Sequence, residues 1–291
     1  MTTITLLDGG MGREIKQRIT QWDPVLWSAS GLIYDPQLVC DIHREFIEAG
    51  AQIIKTNNYT VVPYALRPAK RIHEFESLTV LSGKIAQEAK KKASVNAVKV
   101  AGSLPPLSPT YRPDLVEHDD KQSVDMYKKI IQWLDPYVDL FIVESLSSIT
   151  EFYQVSMACA ITNKPVYVSF LLDEETPGQL LDGTTIHDLV PIVEAHTVEA
   201  LLFNCSHPET ISKTVQCIQN DRIQLGAYAN AFFPIVETFN HGDLRTSDES
   251  VTPTVYLDHV QQWLDHGVTL VGGCCGIGPD HIRAIANYLN Q

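Results

Sequence analysis

Val268-Thr-Leu-Val-Gly-Gly-Cys-Cys-Gly-Ile-Gly-Pro-Asp-His-Ile282 holds a complete strand-to-helix transition in one short stretch. Val268–Val271 is a brief apolar run rich in β-branched residues, and the glycines after it break the extended pattern. Pro279 then opens a patterned segment running to Leu289, and proline suits a first helical turn whose N–H has no partner. Working back along the chain, the same rhythm recurs. Short apolar runs lie at Ile4–Leu7, Gln52–Thr56, Val98–Gly102, Leu140–Glu144, Val166–Leu171, Ala200–Phe203 and Gln224–Tyr228. Each precedes a segment of helical character: Pro36–Ala49, Phe75–Lys92, Lys121–Leu134, Ile149–Ile161, Ile186–His196, Pro208–Ile218 and Pro253–His266. In Pro36–Ala49 the residues Leu38, Val39, Ile42, Phe46, Ile47 and Ala49 trace one face at the helical period.

Apolar runs that alternate with helices predict parallel strands buried on both faces. Eight such units predict an α/β fold of the (β/α)₈ TIM-barrel type, one domain over residues 1–291. That length fits one barrel, which typically runs to about 250 residues. No Gly-x-Gly-x-x-Gly follows the first strand, so a nucleotide-binding open sheet has little support. The longer connections are Gln21–Asp35, Leu104–His118, Leu172–Thr185 and Phe232–Thr252. All but the first follow a strand closely and so rise over the C-terminal face, where barrel active sites lie. The first follows a short helix-like stretch, Met11–Ile19.

Composition narrows the class. The chain has 22 basic and 35 acidic side chains, a net charge of −13, which argues against a nucleic-acid partner that needs a basic footprint. With 44% hydrophobic and 20% charged residues it is neither disordered nor collagen-like. No apolar run approaches the ~20 residues of a membrane span, and Met1–Asp8 carries no signal-sequence pattern, so the expected compartment is the cytoplasm. The sequence carries no signal for oligomeric state. Six cysteines are too few for a disulfide scaffold, and a reducing compartment leaves them for metal or catalysis.

Polar groups gather where the strands end: Asp8-Gly9-Gly10, Thr56-Asn57-Asn58-Tyr59, Gly102-Ser103, Glu144-Ser145, Asn204-Cys205, Tyr228-Ala229-Asn230 and Gly273-Cys274-Cys275-Gly276. Singly, an Asp or Asn there caps a turn, and a lone Cys is a small core residue. Cys274-Cys275 carries more weight. Neighbours in a strand point to opposite faces, so both reach one metal only where the strand has stopped, and the flanking glycines supply that irregular backbone. A vicinal disulfide is the alternative. Cys205 ends the sixth strand and the pair ends the eighth, so the three share a rim. Three converging thiolates make a zinc site with an open fourth position, the pattern of catalytic zinc. Cys40, Cys159 and Cys217 fall on apolar helical faces and read as packing. His207, directly before Pro208, reads as the cap of the next helix. Trp22 and Trp27 read as anchors or as lining of a substrate pocket. No His-Glu-x-x-His, Gly-x-Ser-x-Gly or Gly-Lys-Ser/Thr motif is present.

The stretch Val271–Ile282 resembles the C-terminal signature of the zinc-dependent homocysteine S-methyltransferase family. It is joined in order by Leu6–Met11, Phe46–Ala51 leading to Lys55–Tyr59, Val143-Glu144 and Phe203–Cys205, so the resemblance spans nearly the whole chain. Asp23–Ala29 is similar to the branch of that family that uses S-methylmethionine. The resemblance implies that Cys205, Cys274 and Cys275 hold Zn²⁺, with the homocysteine thiol in the fourth position. It implies that Glu144 holds the homocysteine amino group, that Asp8, Gly9 and Gly10 help bind the amino acid, and that Asn204 shapes the zinc site. Tyr59 falls on the methyl-donor side. Where many relatives have Tyr-Pro-Asn-Ala/Ser-Gly, this chain reads Tyr228-Ala-Asn-Ala-Phe-Phe233, which keeps Asn230 but alters the loop.

The implied chemistry is physically coherent. A free thiol has a pKa near ~8.5, and coordination to zinc stabilises its thiolate at neutral pH. That nucleophile takes a methyl group from a sulfonium or ammonium donor, giving methionine, with the protein aligning the reactants. The partners expected are small molecules: homocysteine and a methyl-onium donor, S-methylmethionine first, with betaine, dimethylsulfoniopropionate or another thiol or selenol acceptor as alternatives. A zinc hydrolase would lean on His and Asp ligands, and a redox-responsive zinc-binding protein would give Asp8 and Glu144 no purpose.

Overall fold

The computed structural model describes residues 3–95, 97–117, 119–218, 222–232 and 248–291. His118, Phe233 and most of the expected Phe232–Thr252 connection lie outside the described residues. The first half of the chain runs β1 (Thr5–Leu6), α1 (Met11–Arg18), α2 (Ala29–Tyr34), α3 (Pro36–Glu48), β2 (Ile53–Lys55), α4 (Pro63–Leu66), α5 (Phe75–Lys92), β3 (Lys99–Leu104), α6 (Asp120–Leu134) and β4 (Leu140–Leu146). The second runs α7 (Ile149–Cys159), β5 (Val166–Phe170), α8 (Ile186–Glu194), β6 (Ala200–Asn204), α9 (Pro208–Val215), β7 (Gln224–Tyr228), α10 (Pro253–Asp265), β8 (Val268–Val271) and α11 (Pro279–Leu289). Each expected strand is present, two of them end for end.

The strands form one parallel sheet in the order β1-β8-β7-β6-β5-β4-β3-β2. A parallel bridge between Leu7 and Ile53 joins its two edges, with Gln52 N donating to Leu6 O at 2.7 Å and Asp8 N to Ile53 O at 2.9 Å. The sheet is thereby closed, the (β/α)₈ barrel that the strand count predicts. Closure sorts the side chains into two shells. Leu7, Ile53, Ala101, Leu140, Ile142, Tyr167, Leu202, Tyr228 and Leu270 pack together, and every strand, or for β1 the residue just after it, contributes to this inner cluster. The alternate residues, among them Phe141, Val143, Phe170, Phe203 and Val271, pack outward against the helices. Continuous apolar runs in the sequence are the trace of strands covered on both sides.

Helix starts follow ordinary capping chemistry. Asp35 accepts from Leu38 N at 3.0 Å before α3, and Pro36, Pro208, Pro253 and Pro279 occupy first turns. His207 caps α9, its Nδ1 accepting from Glu209 N at 3.3 Å.

Three expectations need correction. The Gln21–Asp35 connection contains α2, whose six residues are too few to show a period and whose start has no side-chain cap. Cys217 is exposed and lies beyond α9, which stops at Val215 rather than Ile218, so it is not a packing residue. Glu144 does not end its strand, because β4 continues to Leu146 through an irregularity in register between Val143 and Leu146. No described helix is long and apolar enough to cross a membrane.

Candidate metal and substrate site

One cavity opens at the C-terminal ends of the strands. Asp8, Gly9, Gly10, Lys55, Tyr59, Glu144, Cys205, Cys274 and Cys275 all line it, together with Arg13, Trp27, Thr110, Tyr111, Ser145 and Phe232. The sulfur atoms of Cys205, Cys274 and Cys275 lie within 4.8 Å of one another. Cys205 and Cys274 are joined as a disulfide with a Cα–Cα separation of 5.6 Å, so the pairing is between strands rather than between the adjacent cysteines. Reduction of that bond leaves three thiols in one place. An all-sulfur set of three suits a thiophilic ion such as zinc and leaves room for one more ligand.

The backbone at the cysteines is held from several sides. Cys205 has φ of +50°, in the left-handed region that non-glycine residues rarely occupy. Its carbonyl accepts from Tyr111 Oη at 2.7 Å and from Asn230 Nδ2 at 2.7 Å. Ser145 also has positive φ, +58°, and Asn204 grips it with Oδ1 on its backbone N at 3.1 Å and Nδ2 on its Oγ at 2.7 Å. Trp27 and Tyr111 make four positive-φ residues in the cavity wall. Strain of this kind persists only where surrounding bonds over-determine it, and it collects at sites that must aim side chains.

Asn204 and Asn230, both candidates for the substrate site, stand behind the cavity wall. Neither lines the cavity; each is buried behind it and fixes the turn that presents Glu144 or Cys205. Glu144 follows Leu140 and Ile142 on the inner side of β4, which turns it into the barrel, and the irregularity in register falls between Val143 and Leu146.

Two carboxyls lie on the floor. Asp8 is fully buried, and its Oδ2 accepts from Lys55 N at 2.8 Å while its Oδ1 pairs with Lys55 Nζ. Glu144 accepts from Ser103 Oγ at 2.6 Å. Burial pushes both carboxyls above their ordinary range, and the Lys55 ammonium opposes that shift in each. The Lys55 ammonium also lies 5.0 Å from the Tyr228 ring centroid. The Tyr228 hydroxyl is buried beside Glu144 and Ser169.

The upper wall is aromatic. Tyr59 Oη and Thr110 Oγ1 are 2.8 Å apart, Trp27 packs edge-on to Trp22 with centroids 5.2 Å apart, and Arg13 lies over Phe232 at 4.6 Å. Sequence reasoning passed over Lys55, Thr110 and Tyr111. A lysine directly after Ile53-Ile54 was the one available signal for the first; Tyr111 reaches Cys205 from far along the chain and left none.

Gly10 has a different importance. A Cβ there would stand 2.4 Å from the Cys274 carbonyl oxygen and 2.9 Å from Cys275 Cα, both backbone atoms that cannot swing aside. Gly10→Ala is therefore expected to shift the double-cysteine turn and weaken divalent-ion binding on the order of 10–100-fold while circular dichroism stays native. Titration of the reduced chain with zinc or cadmium measures it; unchanged affinity would show that the turn tolerates the displacement.

A family model described as homocysteine S-methyltransferase matches residues 5–289. The Escherichia coli homocysteine S-methyltransferase is 27% identical, over 97% of this chain and 94% of its own length. An Arabidopsis thaliana relative, homocysteine S-methyltransferase 2, is 25% identical over 98% of this chain and 92% of its own. Among solved structures, the metallated form of the E. coli homocysteine methyltransferase MmuM superposes with a TM-score of 0.82 at 24% identity, covering 98% of this chain and 96% of that one. Its oxidised form gives the same TM-score.

Proposed function

The chain belongs to the homocysteine S-methyltransferase family, and on that premise we propose that it is a zinc-dependent enzyme that methylates L-homocysteine from S-methylmethionine. The observation that carries the metal is the meeting of three sulfurs beside a cavity floored with buried charge. In this reading the reduced Cys205, Cys274 and Cys275 hold one Zn²⁺, which when bound supplies the Lewis acidity that keeps the acceptor sulfur ionised at neutral pH. The protein's own residues do the remainder. Glu144, steadied by Ser103 and by the turn that Asn204 grips, receives the acceptor's ammonium. Tyr111 and Asn230 hold Cys205 in its unfavourable backbone conformation, so that its sulfur faces the other two.

Trp27, Tyr59, Tyr111 and Phe232 offer ring faces to an onium donor, whose positive charge suits aromatic π-systems and a chain of net charge −13. Shielding of both reactants in one pocket brings the methyl carbon onto the line of attack. The reaction belongs in the cytoplasm in this reading, since thiol ligands need a reducing compartment, and the catalytic unit is the whole barrel.

The test uses the full chain reduced with a phosphine and loaded with zinc. Methionine formation from homocysteine is followed with S-methylmethionine, S-adenosylmethionine, betaine and dimethylsulfoniopropionate. About one zinc per chain and turnover with S-methylmethionine are expected, with little zinc uptake before reduction. Absence of methionine from all four donors would sink the proposal, and a faster rate with another donor would reassign the donor alone.

A further inference from the structure

The connection from β3 to α6 rises over the cavity and places two successive residues on its opposite sides. Thr110 Oγ1 and Tyr59 Oη are 2.8 Å apart, while Tyr111 Oη donates to the Cys205 carbonyl at 2.7 Å. Tyr59 follows β2 and Cys205 follows β6, strands that stand four apart whichever way the closed ring is counted. The dipeptide Thr110-Tyr111 therefore crosses the mouth. Tyr111 has φ of +68° and Cys205 has φ of +50°, so the bond between them joins two residues in the left-handed region. Each conformation is costly alone and persists only while its surroundings hold it. Thr110 is buried, and the hydroxyl of Tyr64 on α4 also reaches it. The far end of the connection is fixed by Gln154, whose Nε2 donates to Glu117 O at 2.7 Å and to Asp120 Oδ1 at 3.0 Å.

A loop pinned at both sides of an opening acts as a spacer. We infer that Thr110-Tyr111 is a positioning strap: the hydroxyl contact at Thr110 sets how Tyr111 meets Cys205, so the aromatic wall at Tyr59 and the sulfur of Cys205 keep one spacing. That role rests on the reading in which Cys205 binds an ion. Thr110 acts on Cys205 only through its neighbour. In-line transfer between a donor on the aromatic wall and a sulfur on the metal is sensitive to such a spacing. A second route joins the same two ends. The Tyr59 hydroxyl also reaches Ser145, which is gripped by Asn204, directly before Cys205. The routes differ in one respect: a change at Thr110 that travels along the strap needs Tyr111 Oη, and a change that travels through Ser145 does not.

A double-mutant cycle on metal affinity separates them, using the reduced full chain and cadmium titration read by ultraviolet thiolate absorption. Tyr111→Phe is expected to weaken cadmium about 10-fold and Thr110→Val about 5-fold, the scale of one buried hydrogen bond. Thr110→Ser keeps the hydroxyl and should bind as wild type does. In the Tyr111→Phe background Thr110→Val should cost less than about 1.5-fold, because the strap is already cut. Tyr59→Phe removes the 2.8 Å contact from its other side and replaces Thr110→Val if that variant loses native circular dichroism. An equal effect of Thr110→Val in both backgrounds would overturn the strap and assign the coupling to the Ser145 route. So would wild-type affinity in either single variant, or a serine variant as weak as the valine one. The rate of iodoacetamide alkylation at Cys205 in the metal-free reduced chain reads the same cycle without an ion. Each single variant should speed it and the second substitution should add nothing; unchanged rates would overturn the strap. A wild-type chain that binds no cadmium would overturn the metal reading, and the alkylation cycle then decides the strap alone. The expected cycle in a chain that makes no methionine would overturn only the methyltransferase reading.

Discussion

Cys275→Ala is expected to lower methyl transfer by on the order of 10³-fold or more and to abolish retention of zinc through desalting. The expectation follows from the number of ligands. Three sulfurs converge, and Cys275 is the member outside the Cys205–Cys274 pair, so its loss leaves two thiols that can close on each other. Two thiolates plus water hold zinc far less tightly than three, and the acceptor sulfur must then compete with hydrolysis of the site. The variant removes one sulfur from a partly exposed position, so the barrel should remain folded. Cys217→Ser is the matched control, since Cys217 is exposed and distant from the sulfur cluster. Zinc per chain by atomic absorption, beside the rate of methionine formation, reads both effects. A zinc-free Cys275→Ala chain working at the wild-type rate would end the metal mechanism.

The second large effect concerns Glu144, and it runs in opposite directions for activity and stability. Glu144→Gln keeps the shape and the hydrogen bond from Ser103 but removes the charge that receives an ammonium. A charge-assisted contact in a buried site is worth about 2–3 kcal/mol, so kcat/KM for homocysteine should fall by about 30–150-fold, mostly through KM. Stability should rise. Burial, the largest influence on this carboxyl, lifts its folded pKa above the unfolded value despite Lys55 and Ser103. Between those two values the folded chain holds the proton more tightly than the unfolded chain does. Stability therefore falls as pH rises through that window and stays lower above it. The glutamine variant lacks this slope, so its advantage in Tm should be absent below the unfolded value and present at neutral pH, about 2 °C per kcal/mol for a chain of this size. A variant with unchanged Tm at pH 7 and no rise in KM would show that Glu144 is neither strained by burial nor in contact with the acceptor. Protonation weakens ammonium binding in wild type, and burial moves the onset of that loss to a higher pH than an exposed glutamate would show.

Much of the fold was legible because burial on both faces leaves a plain mark. Gln224–Tyr228 and Val268–Val271 agree with the sequence end for end, since apolar runs between turn residues define them without long-range help. The cysteines at the strand ends were legible for the same reason: knowing where a strand stops tells where its next residue points. Longer-range matters were not. The irregularity in β4 falls where Asn204 reaches Ser145 from another strand, and local pattern carries no trace of that bond. Asn230 and Tyr111 meet at one carbonyl of Cys205, although they are 25 and 94 residues from it. Lys55 escaped because a lysine closing a strand ordinarily reads as a solvated end. Its burial is explained only by Asp8, which closure of the barrel brings alongside.

That closure also sets a schedule for the centre as the chain is made. β1 pairs with β8, and Gly273 N donates to Asp8 O at 2.9 Å, so the first and last strands complete one wall of the cavity. Cys205 precedes Cys274 by 69 residues. At a synthesis rate of ~5–20 residues per second, a nascent chain carries the first sulfur roughly 3–14 s before the second exists. If the centre holds zinc, loading waits until Cys274 and Cys275 have been made, and ribosome-bound intermediates truncated before Cys274 should bind no zinc at this place, however much of the barrel they have already assembled.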